Sequence, residues 1–220
     1  MPSGEATGAS INFAHQARDA QHVSGYSKAI LANCMRVAGV QSITITSTYR
    51  SPKDQGRVML DNASRESGWM YKEHGHAVEK IARDSLSANR RVQDGLAKGF
   101  DPQRPLPGPA KSHAETQSEM ILKIHELERK FGVGCVSKHQ TDPKKINVID
   151  IDPKSVKPFS ALAPFIKALT GDQHVERIGL PGGARKYSKK HFVESVGCLH
   201  VEIPQMPAVP DRKIRVDNIA

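Results

Sequence analysis

Aromatic residues make up only 5% of this 220-residue chain, and they do not alternate with basic ones. That speaks against a base-stacking platform for single-stranded nucleic acid. Cysteines number three, Cys34, Cys135 and Cys198, far apart and odd in count. Such usage excludes a disulfide framework and a C-x-x-C metal knuckle, and it points to synthesis in a reducing compartment. No basic-then-apolar leader and no apolar run of transmembrane length is present. Action outside the cell would therefore require release or delivery by another route. The H-E-x-x-H zincin helix, the phosphate loop with its Walker lysine and the G-x-S-x-G nucleophile elbow are all missing.

What the chain does have is positive charge. Its 32 Lys and Arg outnumber 23 Asp and Glu, for a formal net charge of +9. This balance favours an anionic partner: nucleic acid, acidic lipid or an acidic cell-wall polymer. The length suits a single domain, residues 1–220, with a large insertion.

The pattern along the chain is that of an α+β fold, a small antiparallel sheet packed with helices. Residues 1–25 are polar and small and form a candidate disordered segment. Tyr26 to Ala38 reads as a helix with Ile30, Cys34, Val37 and Ala38 on one face, stopped at Gly39. Ile43 and Ile45 alternate with threonines in a half-buried strand. It runs into Tyr49-Arg50-Ser51-Pro52, where Ser51 can cap and Pro52 can begin a helix. Residues 55–132 are expected to be a helical insertion. Within it, Glu73–Leu96 is a helix, Phe100–Lys111 a Pro-rich loop, and Glu115–Phe131 the clearest amphipathic helix. A short strand is expected at Val133–Ser137, a helix at Lys157–Leu169 with Phe159, Leu162, Phe165, Ile166 and Leu169 inward, and a strand at Val175–Ile178. Leu180–Ala184 reads as a loop or hairpin. Phe192–Glu194 and Cys198–Ile203 form an expected final antiparallel pair, and 204–220 a Pro- and charge-rich tail.

Two stretches carry chemistry. Ser137-Lys138-His139 is followed by Val148-Ile149-Asp150-Ile151, and Leu199-His200-Val201 lies in another apolar run. A charged Asp inside a buried strand is costly unless it is paired or bound to a metal. Two histidines and a carboxylate are the ligand set of a catalytic zinc, which leaves a fourth position for water. Asp152 is an alternative to Asp150. His74-Gly75-His76 is a rival pair, but no third ligand stands near it, and a solvated helix end explains it better.

Three stretches together resemble the zinc D-Ala-D-Ala peptidases, whose fold is shared by the Hedgehog signalling domain and other murein peptidases. They are Thr46-Ser47-Thr48-Tyr49-Arg50-Ser51-Pro52, Ser137-Lys138-His139 with Val148-Ile149-Asp150-Ile151, and Cys198-Leu199-His200-Val201. The likeness spans about 40–60 and 130–205 and leaves the insertion uncovered. Three departures stand out. Asp150 follows His139 by eleven positions, a longer turn than the family's. Cys198 occupies a position that is often His. Gly197 occupies one that often carries the catalytic acid, while Glu194 matches the Hedgehog-like placement of a Glu six before the last His.

The resemblance implies a peptidase acting on peptidoglycan. His139, Asp150 and His200 would hold Zn2+, and Glu194 would be the catalytic base, with Glu202 as an alternative or as a partner behind His200. Arg50 would bind a substrate carboxylate or carbonyl and assist catalysis, and Ser137 would orient substrate. It further implies a cell-wall-degrading hydrolase of D,D-endopeptidase or carboxypeptidase type. Such an enzyme is made in the cytoplasm and acts in the wall or periplasm, as an endolysin freed at lysis or as an antibacterial effector with delivery machinery and an immunity protein. Two rivals remain open: a non-catalytic Hedgehog-like zinc-binding module, and a basic nucleic-acid-binding protein, which the low aromatic content disfavours.

Overall fold

The computed structural model describes residues 9–65, 70–71, 73–98, 110–181, 191–194 and 197–205. The chain is mixed α+β and divides into two compact units, Met1–Thr48 with Asp142–Ala220, and Tyr49–Thr141.

The first unit is built on a six-stranded sheet. Its strands are β1 (Ser10–Phe13), β2 (Ser42–Ser47), β3 (Ile146–Ile151), β4 (Arg177–Pro181), β5 (His191–Glu194) and β6 (Leu199–Pro204), laid side by side as β1-β2-β3-β6-β4-β5. The β2/β3, β3/β6 and β6/β4 pairs are antiparallel, whereas β1/β2 and β4/β5 are parallel. The sheet is thus mixed rather than wholly antiparallel. The expected hairpin of 192–194 with 198–203 is also corrected, because β4 lies between β5 and β6. The sequence of β6 explains this: Leu199 to Ile203 is buried at every position, the mark of a central strand with a neighbour on each side.

Strand alternation sorts the residues by face. Ile149, Ile151, Leu199, Val201, Ile203 and Ile178 enter one apolar core. Asp150, His200 and Glu202 fall at the intervening positions and so share the opposite face. Helices α2 (Gly25–Ala38) and α6 (Leu162–Gly171) contribute Leu31, Met35, Phe165 and Leu169 to the same core, each fully buried. Ser24 caps α2 by accepting from the Ser27 N–H, and Gly39 closes it at φ 72, a left-handed value that favours glycine. The buried arc of α2 centres on Leu31, Cys34 and Met35. Val37, expected inward, stands at its edge and is 64% exposed.

Several expectations shift. The segment 10–22 is not disordered: it forms β1, the short helix α1 (Gln16–Asp19) and a 3-10 turn, Ala20–His22. Asp19 is buried there, held by Arg18 at 2.7 Å and by the Thr48 hydroxyl at 2.9 Å. The helix expected from Lys157 begins at Leu162. Pro158 biases the residue before it away from helix, and a 3-10 turn at Phe159–Ala161 precedes α6. Phe159 is consequently 59% exposed rather than inward.

The second unit is helical: α3 (Pro52–Arg65), α4 (Glu73–Lys98) and α5 (His113–Phe131). Its own core contains Met59, Leu60, Val78, Met120 and Ile124. Ser112 and Glu115 form a capping box at the start of α5, each satisfying a backbone N–H of the other. Ser51 accepts from the Asp54 N–H at 3.2 Å, as its position before Pro52 suggested. Glu79 is buried and accepts from the Met70 and Tyr71 N–H groups and from Arg83. Val133–Ser137 is a series of turns, not a strand, because Gly132 and Gly134 both take positive φ, 92° and 87°. Most of the Pro-rich loop, positions 182–184 and the tail from 206 fall outside the described residues. Among the described residues, no helix is long and apolar enough to cross a membrane.

Candidate metal centre

Asp150 and His200 are register partners on β3 and β6. Their side chains point off the same sheet face, and Asp150 Oδ1 lies 3.0 Å from His200 Nδ1. Ligand atoms bound to a tetrahedral zinc at about 2.0–2.2 Å stand roughly 3.3–3.5 Å apart, so this pair already has nearly the spacing of two adjacent ligands. His139 comes from the 3-10 turn Lys138–Gln140. His139, Asp150 and His200 each offer one ligand atom, and these atoms all lie within 4.8 Å of one another. All three residues are buried, at 5%, 6% and 7% exposure. Two imidazoles and a carboxylate gathered out of water can hold a metal ion, and this donor set suits zinc and ferrous iron alike.

Asp152 takes another role. β3 ends at Ile151, and the Asp152 carboxylate caps the 3-10 turn Pro153–Ser155 by accepting from the Lys154 N–H at 2.9 Å. His74 lies in the first turn of α4, stacked on Phe131 with ring centroids 4.0 Å apart, so that pair belongs to a helix start.

Arg50 is tied to the His139 turn by its backbone, its N–H donating to the His139 carbonyl at 2.8 Å. Two of the three signature stretches therefore meet. The Arg50 guanidinium donates to Gln55 Oε1 at 3.4 Å, and Gln55 is fully buried on α3. Gln55 is a neighbour that sequence reasoning missed, although its place five residues after Arg50 and one turn into a helix was a usable signal. Ser137 is half-buried, and its carbonyl accepts from the Gln140 N–H at 3.0 Å, closing the turn that carries His139.

Glu194 ends β5, in register with Pro181 of β4. Its backbone is two strands from His200 rather than on the neighbouring strand, and its side chain lies outside the described residues. Glu202 is buried at 2% exposure, with Oε1 3.4 Å from His200 Nε2 and 3.6 Å from Arg177 Nη1. Arg177 lies over the Phe192 ring at 4.7 Å, and Phe192 meets His200 edge-on at 5.6 Å. Arg177 and Phe192 were not legible as part of the site, because only the strand order brings them to it.

Burial on its own lowers the affinity of His200 for a proton. Its hydrogen bonds and charge interactions with Asp150 and Glu202 outweigh that effect and push the imidazole up from 6.5 to about 9.

No family model, curated protein or solved structure matches this chain.

Proposed function

We propose that the chain is a zinc-dependent peptidase that hydrolyses stem peptides or cross-links of peptidoglycan. The observation that carries this reading is the buried His139–Asp150–His200 group, joined through the His139 carbonyl to Arg50. Zinc in such a site supplies a water of lowered pKa and a Lewis acid for a carbonyl oxygen. The chain's own residues do the rest. His139, Asp150 and His200 present three ligands from a buried setting where an uncompensated carboxylate would be costly. Arg50 offers a planar fork suited to two carboxylate or carbonyl oxygens, steadied from behind by Gln55. Ser137 stands at the turn before His139 to orient substrate. Glu194 takes the proton of the attacking water and passes it to the leaving amine.

The net charge of +9 supports an anionic wall as the substrate matrix. In this reading the enzyme reaches the wall as a lysin freed at lysis or as a delivered antibacterial toxin. The test is a digest of purified peptidoglycan by the full chain loaded with zinc, with products read by mass spectrometry. Newly freed amine and carboxyl groups from hydrolysed stem-peptide or cross-link amides, absent for His200→Ala, are expected. Intact murein and intact D-Ala-D-Ala peptides at full zinc occupancy would leave a metal-binding module without turnover.

A further inference from the structure

We propose that Glu202 is a positioning residue for the metal centre: it fixes the ring of His200 through Nε2 so that Nδ1 faces the metal, with Arg177 and Phe192 clamping the pair. The inference rests on the metal reading above and adds residues to it.

The two nitrogens of the His200 ring face different carboxylates. His200 Nδ1 faces Asp150 Oδ1 at 3.0 Å. A metal shared with Asp150 would therefore take Nδ1 and leave the proton on Nε2. That nitrogen faces Glu202 Oε1 at 3.4 Å. At this distance the contact is an ion pair rather than an aligned hydrogen bond, and a carboxylate beside the non-ligating nitrogen favours the proton there, so it holds the ring's tautomer and angle and makes the ligating nitrogen more basic. Glu202 is two residues from His200 on one strand, so pleating puts both side chains on one face.

Glu202 is itself held. Its register partner on β4 is Arg177, whose Nη1 is 3.6 Å from the same Oε1. Arg177 lies over Phe192, and Phe192 returns to the edge of His200. Glu202, Arg177 and Phe192 thus close a ring of contacts with the imidazole. The ring needs a gap in the sheet, and Gly179 provides it. Gly179 is the register partner of both His200 and Phe192, and a Cβ there would lie 2.7 Å from Phe192 Cζ and 2.9 Å from His200 Cβ. This placement also separates Glu202 from the reaction: it lies behind the ligand ring, on the side opposite Nδ1.

The experiment is zinc titration of the full chain against a chromophoric chelator, for wild type, Glu202→Gln, Arg177→Gln and His139→Ala. It is paired with long-range proton–nitrogen spectra of the His200 ring in the zinc-loaded protein. Glu202→Gln is expected to bind zinc about 10- to 100-fold more weakly, the usual cost of losing such a partner. The Nε2–H resonance of His200 should move, and Arg177→Gln should give a smaller loss in the same direction. Zinc affinity within about twofold of wild type in Glu202→Gln, with an unchanged His200 spectrum, overturns the proposal while leaving the metal site standing. Should Glu202→Gln fail to fold, wild-type affinity in Arg177→Gln overturns it instead. Wild type that binds zinc no better than His139→Ala overturns the metal reading itself, and this inference with it.

Discussion

Asp150 and His200 sit opposite each other on adjacent antiparallel strands, β3 and β6, with their side chains 3.0 Å apart on the sheet face turned away from the apolar core. Neither would be stable there alone, since a buried charge needs a partner. With His139 they make the group on which the functional reading depends. The chain is expected to bind about one zinc per molecule, the stoichiometry of a single three-ligand site. His139→Ala and His200→Ala should each abolish tight binding, and Asp150→Asn should weaken it strongly. Asp152→Ala should keep the metal, because Asp152 is spent on capping the turn at Lys154. Elemental analysis after gel filtration measures all four. Zinc retained in both histidine variants would rule the site out.

Proton and metal compete for His200, which gives opposite pH trends with and without zinc. The folded-state value is about 9 against 6.5 for the free side chain. A group raised in this way stabilises the fold fully below the unfolded value and loses that contribution as pH rises through the folded value. Without metal, melting temperature should therefore fall between pH 6.5 and 9. With excess zinc the sign reverses in part, because binding must displace the proton and so strengthens as pH rises towards 9. Melting curves across this window, with zinc and with a chelator, make the comparison. Parallel curves would show that His200 is not a ligand.

Gly179 offers a test of packing alone. A methyl group at this position meets Phe192 and the Cβ of His200 at under 3 Å, and the latter is fixed to the backbone of β6. Gly179→Ala should destabilise the protein by about 1–3 kcal/mol, as overpacking does. It should also weaken zinc binding by shifting His200. Gly171→Ala is the control, since a Cβ there meets nothing within 4 Å. Equal melting temperatures for the two variants would mean that β4 gives way without strain.

Much of the centre was legible in the sequence. An Asp in the run Val148-Ile149-Asp150-Ile151 and a His in Leu199-His200-Val201 each break an apolar strand, and burial makes such breaks costly unless they serve each other. The helix α3 followed from its Ser51-Pro52 start, α4 from a composition rich in Ala, Arg and Glu, and α5 from its apolar periodicity. What was not legible depends on distant pairing or on one residue's backbone. Strand alternation puts Asp150 and Asp152 on the same face, and only the end of β3 at Ile151 turns Asp152 into a cap. The apolar run at Val133 lacks the strand it suggests because Gly132 and Gly134 turn the chain. The insertion of β4 between β5 and β6 joins segments that no local pattern relates, so Arg177 and Phe192 reach His200 without a signal in the sequence.

Two carboxylates, Glu194 and Glu202, compete for the role of moving the proton. Glu202 is packed against the far nitrogen of His200 and against Arg177, a place from which it supports a ligand. Glu194 lies at the end of β5, on a strand whose register runs Phe192–Gly179–His200 across the sheet two residues earlier. The two roles fail differently. Losing a positioning partner weakens metal binding, and excess zinc should restore most of the rate. Losing a general base leaves the metal bound and removes about a hundredfold to ten-thousandfold of rate that no amount of zinc returns. Glu194→Gln is therefore expected to bind zinc and melt like wild type, and to cleave murein at most at about one hundredth of its rate. Glu202→Gln should regain activity as zinc is raised. Rates measured on peptidoglycan across a zinc series decide between them. A Glu194→Gln protein that cleaves at the wild-type rate, beside a Glu202→Gln protein inactive at saturating zinc, would exchange the two assignments and leave the peptidase reading in place.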